Sequence, residues 1–101
     1  MTQIKLTLVC PQALAEQMSE FLLDCEQLKG GFTAWSGNGH GADFATASLR
    51  EQVRGSVHVF LLIAIMEESG LAPLLASLRA RFRAPHVRYW TEPVLEFGDL
   101  A

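Results

Sequence analysis

Residues 56–66, SVHVFLLIAIM, decide the fold because they are apolar on both sides of a predicted strand. Side chains of a strand point alternately to the two faces of its sheet. The odd-numbered side carries only Val, Leu and Ile, and the even-numbered side is apolar from Phe60 to Met66, after the polar Ser56 and His58. A strand with one face in water would alternate with polar residues. Both faces of this strand are therefore predicted to be covered.

The first third of the chain is predicted to form a strand and then a helix. Residues 3–10 alternate between apolar and more polar side chains, which is typical of a half-buried strand. From Gln12 onward the apolar residues have helical spacing, and they are Leu14, Met18, Phe21, Leu22, Cys25 and Leu28. Gly30-Gly31 is predicted to end this helix, because glycine adopts the left-handed cap conformation without a steric penalty.

A long loop is predicted between the second and third strands. Residues 32–36 read as a short strand, and Gly37, Gly39 and Gly41 follow at alternate positions. Glycine-rich stretches favour loops over regular elements. The loop is expected to cover about residues 37–55, to be the most mobile part of the free protein, and to become ordered when it contacts a partner.

The second half of the chain adds another helix and a last strand. Helical spacing from about Leu71 ends before Pro85, because the residue preceding a proline avoids the helical region. Residues 87–91 form a fourth strand, and a short final segment follows at residues 94–97. The order strand, helix, strand, strand, helix, strand predicts an α+β, ferredoxin-like βαββαβ sandwich in a single domain over residues 1–101.

The second apolar face of the third strand needs its own cover, because both helices of this fold lie on one face of the sheet. Self-association is the simplest cover for an exposed apolar face. The alternatives are that the long loop or the C-terminal segment folds over it. A charge at Leu62, assigned here to the uncovered face, is expected to dissociate the assembly, because burying an unpaired charge is costly.

Composition limits the class of protein. Half of the 101 residues are hydrophobic, 19% are charged and the net charge is −3, which excludes intrinsic disorder and argues against a general nucleic-acid binder. No apolar run is long enough to span a membrane, and the N-terminus does not resemble a signal peptide. Cys10 and Cys25 are expected to lie too far apart for a disulfide. We therefore expect a cytoplasmic protein.

Several short motifs point to a known superfamily. Gly31-Phe32, residues 37–41 (GNGHG), residues 51–55 (EQVRG) and residues 93–98 (PVLEFG), together with the long loop and the doubly apolar third strand, resemble a small uncharacterised family of PII-like proteins. Members of that family are often encoded beside heavy-metal efflux pumps. The resemblance implies a homotrimer with its sheets facing inward and a role in regulation rather than catalysis. It also implies a ligand between subunits that changes the long loop, which then binds or releases a membrane transporter.

The sequence departs from true PII signalling proteins where those proteins hold nucleotide phosphates. Their turn between the second helix and the last strand is basic and rich in glycine, whereas residues 81–86 here read RFRAPH. Without glycine, the backbone cannot approach a phosphate as closely. No further cation follows Arg88 on the last strand. Weak or absent ATP binding is therefore expected, although Arg50 and Arg54 leave a rebuilt site for an anionic nucleotide as an alternative.

His40 is the first candidate metal ligand. It lies among the loop glycines, with Asp43 and Glu51 further along the loop. Imidazole and carboxylate groups together suit divalent zinc, nickel, cobalt or copper. His58 on the third strand is a second candidate. The alternative for His40 is a solvated loop histidine, and for His58 a satisfied interior or interface group, because no closed ligand spacing such as Cys-x-x-Cys is present.

No arrangement of a nucleophile and a base is visible, so an enzyme is not expected. Four aromatic residues fall around the second and fourth strands, either as packing groups or as a wall for a flat ligand: Trp35, Tyr89, Trp90 and Phe97.

The favoured function is a trimeric regulator that modulates a heavy-metal efflux transporter in response to a bound metal. A nucleotide sensor and an adaptor without a small ligand are the alternatives. The ligand and partner loop is assigned Gly37, Gly39, His40, Gly41, Arg50 and Arg54.

Overall fold

The computed structural model describes residues 2–41, 56–83 and 86–101. The elements follow the predicted order and confirm the ferredoxin-like α+β fold. The strands are β1 (Gln3–Pro11), β2 (Thr33–His40), β3 (Ser56–Glu67) and β4 (Arg88–Pro93), and the helices are α1 (Ala15–Leu23) and α2 (Leu71–Arg81). Single 3₁₀ turns lie at Gln12–Leu14, Glu26–Leu28 and Glu68–Gly70.

The strands form one antiparallel sheet in the order β2-β3-β1-β4. The register places Leu8 of β1 opposite Leu62 of β3 and Tyr89 of β4. Residues directly opposite each other share a face of the sheet. Even-numbered residues of β1 and β3 therefore share one face, which is called the helix-covered face below, and the odd-numbered residues share the open face.

The helix-covered face holds the hydrophobic core. Even-numbered residues of β1 and β3 form a single buried cluster with residues of both helices, including Met18 and Leu22 of α1 and Leu74 of α2. Met18, Leu22 and Leu74 are fully inaccessible to solvent. Packing of both helices against this one face is what gives the sandwich its two layers.

The open face is apolar, and neither helix covers it. Leu61, Ile63 and Ile65 of β3 are half-buried there, and two tryptophans flank them, Trp35 on β2 at 45% exposure and Trp90 on β4 at 44%. Leu95 and Leu100 of the C-terminal segment are fully exposed and therefore do not pack on this face. The alternative in which the long loop covers this face involves residues 42–55, which lie outside the described residues.

The assignment of Leu62 to the uncovered face is wrong. Leu62 is 1% exposed and belongs to the core under the helices. The register with Leu8 fixes its side, whereas the pattern of β3 alone leaves its two apolar sides indistinguishable. A charge at Leu62 is therefore expected to unfold the chain, and the open-face positions Leu61 and Ile63 are the ones that test self-association.

The first helix is shorter than predicted. α1 ends at Leu23, and Cys25 is extended, with φ −78° and ψ 127°. Leu28 still reaches the core from the following 3₁₀ turn, so the apolar spacing correctly identified residues that are buried. Gly31 adopts the positive φ of 89° that the glycine pair suggested, but it follows the 3₁₀ turn and not the helix.

The second strand is longer than predicted. β2 continues to His40, so residues 37–40 are paired with β3 and are not part of a loop. Gly37 lies opposite Val59, and a Cβ atom on Gly37 would lie 3.0 Å from Cδ1 of Leu61. The glycines thus make room for large β3 side chains on the open face. The backbone turns away at Gly41, where φ is 112°.

None of the helices in the described ranges is long and apolar enough to cross a bilayer. Cys10 and Cys25 are both free thiols, as predicted, and Cys10 is buried.

Candidate functional site at the end of the β2–β3 ribbon

β2 and β3 extend beyond the rest of the sheet as a two-stranded ribbon. β1 pairs with β3 only as far as Val59, opposite Pro11. β2 and β3 remain paired beyond that point, through Asn38–His58, Gly39–Val57 and His40–Ser56. These three pairs define the ribbon, which stands at the base of the segment joining the two strands.

The ribbon brings the two candidate histidines together. Asn38 lies opposite His58, and His40 lies opposite Ser56, so His40 and His58 are diagonal neighbours on one face. Diagonal neighbours in an antiparallel pair are about 7–8 Å apart, which is within reach of long side chains. Both histidines are exposed. The two imidazoles can therefore approach one ion from adjacent strands.

A hydrogen bond fixes the base of the ribbon to the body of the fold. Ser36 Oγ donates to Oε1 of Gln12 at 2.9 Å, linking β2 to the 3₁₀ turn that follows β1. Ser36 lies opposite Phe60, which packs against the core. The part of β2 that precedes the histidine pair is therefore attached to the rest of the fold.

The chemistry of this pair suits a borderline divalent metal. Neutral imidazole is a preferred ligand of zinc, copper and nickel. Over residues 2–41, 56–83 and 86–101, no group of three or more His, Cys, Asp or Glu is arranged to hold a metal. Two histidines need further ligands, which water or carboxylates can supply. Asp43 and Glu51, the predicted carboxylate ligands, lie outside the described residues, as do Arg50 and Arg54.

Asn38 is a site residue that the sequence reasoning missed. It shares the histidine face because β2 alternates throughout, with Ala34, Ser36, Asn38 and His40 on one side. Gly37 and Gly39 alternate with these residues and pair with Val59 and Val57, so they belong to a strand and not to the predicted loop. The alternation of residues 34–40 was the signal that identifies the strand, but the glycines obscured it.

The aromatic wall, the alternative to packing for these four residues, does not form within the described residues. Trp35 and Trp90 lie on the open face but at opposite edges of the sheet, since β2 and β4 are the edge strands. Tyr89 lies on the helix-covered face, and Phe97 lies beyond the end of β4. These four residues therefore do not form one stacking surface for a flat ligand.

The fold is that of PII-like proteins. The structure of CPII, a nitrogen regulatory PII-like protein from Thiomonas intermedia K12 bound to ADP, AMP and bicarbonate, matches with a TM-score of 0.66 at 21% identity, over 93% of this chain and 91% of CPII. A DUF3240 family protein from Shewanella baltica OS155 matches with a TM-score of 0.80 at 20% identity, over 100% of this chain and 99% of that chain.

The family is defined at the level of sequence as well. Residues 1–101 match the model of the family described as protein of unknown function DUF3240. The chain belongs to this family. No curated protein matches it significantly. The PII-like fold that the motif resemblance implied is thereby confirmed.

Proposed function

We propose that this chain is a PII-like regulatory protein that senses a divalent transition metal through His40 and His58. The observation that carries the proposal is the placement of both imidazoles on one face of the β2–β3 ribbon. Metal bound there lies at the root of the segment that joins β2 to β3. Binding there can therefore change the conformation of that segment. Asp43 and Glu51, which belong to the segment, are the proposed additional ligands of the metal.

The proposed signalling unit is a homotrimer assembled through the open face. An apolar sheet face flanked by Trp35 and Trp90 supports association, because contiguous apolar surface is rarely left in water. The proposed partner is a heavy-metal efflux transporter, with the segment between β2 and β3 as the contacting part. This partner is the one implied by the sequence resemblance. The proposed role is regulatory, without catalysis.

A nucleotide ligand is the second candidate, favoured by the likeness to CPII, which binds ADP and AMP. Residues 81–86, from the last residue of α2 onward, include Arg81 and Arg83 but no glycine, so a phosphate site of the PII type would have to be rebuilt. Arg50 and Arg54 are the proposed cations for such a site. Calorimetric titration with ATP, ADP and AMP distinguishes this function from metal sensing.

The metal proposal is tested by calorimetric titration of the untagged protein with Zn²⁺, Ni²⁺, Co²⁺ and Cu²⁺. His40→Ala and His58→Ala should each weaken binding by about tenfold or more, since each removes a ligand. His86→Ala, at the turn before β4, is the matched control and should bind as the parent does. The melting temperature of all three metal-free variants should stay close to that of the parent. Equal affinity in the parent and both ribbon variants would overturn the proposed site.

A further inference from the structure

A second surface feature lies at the edge of the sheet opposite the ribbon, between α2 and the edge strand β4. It is a groove of about 230 Å³. Its apolar lining comes from the second half of α2 and the residues that follow, and includes Leu75, Leu78, Phe82 and Val87. Tyr89 also lines the groove and is 44% exposed, although it lies on the helix-covered face. The groove is therefore an incompletely filled edge of the core.

The groove has a positively charged border. Arg79 lines it directly. The guanidinium of Arg81 lies 4.9 Å from the ring centroid of Phe82, whose ring is held edge-on by Phe21 at 5.6 Å. No carboxylate of the described residues forms an ion pair with either arginine. An occupant that combines apolar and acidic groups would complement this surface.

Residues 94–101, called the tail, have that composition. Their sequence is VLEFGDLA, in which acidic Glu96 and Asp99 alternate with large apolar residues. Leu95 and Leu100 are fully exposed, and Phe97 is 57% exposed. Burial of each of these side chains would contribute a free energy of roughly 1.5–3 kcal/mol. The tail therefore has an apolar surface that its own chain leaves uncovered.

Phe97 does not line the groove of its own chain. The Val94 N–H donates to the Gln3 carbonyl at 3.3 Å, whereas the groove lies at the level of Leu8, opposite Tyr89. The five residues from Gln3 to Leu8 correspond to about 17 Å of strand. The three residues from Val94 to Phe97 span at most about 11 Å. Phe97 could reach the groove of its own chain only with a fully extended tail, so exchange between copies is the favoured arrangement.

We propose that the tail of one copy docks in the α2–β4 groove of a second copy, with Phe97 in the apolar cavity and Glu96 near Arg79. The cavity is smaller than the roughly 300–1,000 Å³ typical of small-molecule sites, and a single aromatic side chain suits it. The acidic residues of the tail and the arginines of α2 supply the charge complementarity. This interaction does not depend on metal binding at the ribbon.

Cysteine cross-linking in the full-length chain tests this proposal. Arg79→Cys combined with Glu96→Cys should give, after oxidation, covalently linked chains on a denaturing, non-reducing gel. The parent chain controls for Cys10 and Cys25, and Ala76→Cys with Glu96→Cys controls for chance encounters at an exposed position on α2. A disulfide confined to single chains, or equal cross-linking of the Ala76 control pair, would overturn tail exchange.

Substitution of the anchor provides an independent measurement. Phe97→Ser in the Arg79→Cys, Glu96→Cys chain should abolish the cross-linked bands, because the apolar contact in the groove is lost. Leu23→Ser is the matched control, since Leu23 is an apolar residue at 70% exposure on α1 and does not line the groove. Cross-linking that persists in Phe97→Ser would show that Phe97 is not the anchor. Metal affinity should be unchanged in all of these variants. The result for tail exchange can therefore be distinguished from the result for the metal site on the ribbon.

Discussion

The two thiols illustrate how burial controls chemistry at the scale of single residues. Cys10 is 1% exposed within the core, and burial raises the pKa of its thiol to about 11 from 9.0, because a thiolate there would lose its hydration. Burial also raises the pKa of Cys25, and the charge of Asp24 adds to this effect. Both thiols stay protonated near neutral pH, so neither is activated as a nucleophile.

We expect Cys10 to lower the free energy of unfolding as the pH rises from about 9 to about 11. The unfolded chain releases the thiol proton near pH 9.0 and the folded chain only near 11, so alkaline pH favours the unfolded state. The pKa difference limits this contribution to at most about 2.7 kcal/mol. Urea unfolding across this range should show a smaller decline in Cys10→Ala than in the parent. Identical pH slopes in the two proteins would contradict this expectation.

The histidine pair shows what residue types alone can predict about the site. The sequence identified His40 and His58 separately as candidate metal ligands, because imidazole is chemically suited to the role. It did not show that they are neighbours, since that depends on the pairing of Asn38 with His58. The roles proposed for Asp43, Glu51, Arg50 and Arg54 remain predictions.

At the scale of elements, β1 and α2 were predictable because each has a clear apolar period, and β3 because it is a continuous apolar run. β2 was not, because glycine is unfavourable in strands and three alternate glycines favour a loop. β3 changes this outcome by offering β2 a continuous partner as far as Ser56. Leu61 fills the space that Gly37 leaves free. Pairing between strands thus overrides local preference in residues 37–40.

The glycine pair before β2 gives a test of backbone conformation at this scale. Gly31 has a φ of 89°, and its N–H donates to the Leu28 carbonyl at 2.9 Å. Gly31→Ala should lower the free energy of unfolding by about 1–2 kcal/mol, because a Cβ atom disfavours positive φ. Gly30→Ala is the matched control, since no atom lies within 4 Å of a Cβ at Gly30 and its φ is not positive. Equal stability of the two variants in urea unfolding would contradict this explanation.

The whole molecule has a two-layer architecture with one packed sheet face and one apolar face without helices. The order of elements was sufficient to predict this arrangement. The identity of the residues on each face was not predictable, because both sides of β3 are apolar and only its register with β1 distinguishes them. Thr7 and Val9 are nearly inaccessible even on the open face, so large neighbours already shield its centre. Burial of this surface between copies would extend the apolar packing without requiring another element.

The proposed homotrimer is best tested by placing one charge on the open face. Leu61→Glu should dissociate the assembly, because an unpaired carboxylate buried between copies costs several kcal/mol, whereas the isolated chain leaves Leu61 half-exposed and tolerates the change. Light scattering coupled to gel filtration should give about three times the 11.1 kDa chain mass for the parent and one chain mass for the variant. Leu23→Glu introduces the same charge at a residue that is 70% exposed on α1 and should remain trimeric. A monomeric parent at micromolar concentration would refute the trimer, and a trimeric Leu61→Glu variant would place its interface elsewhere.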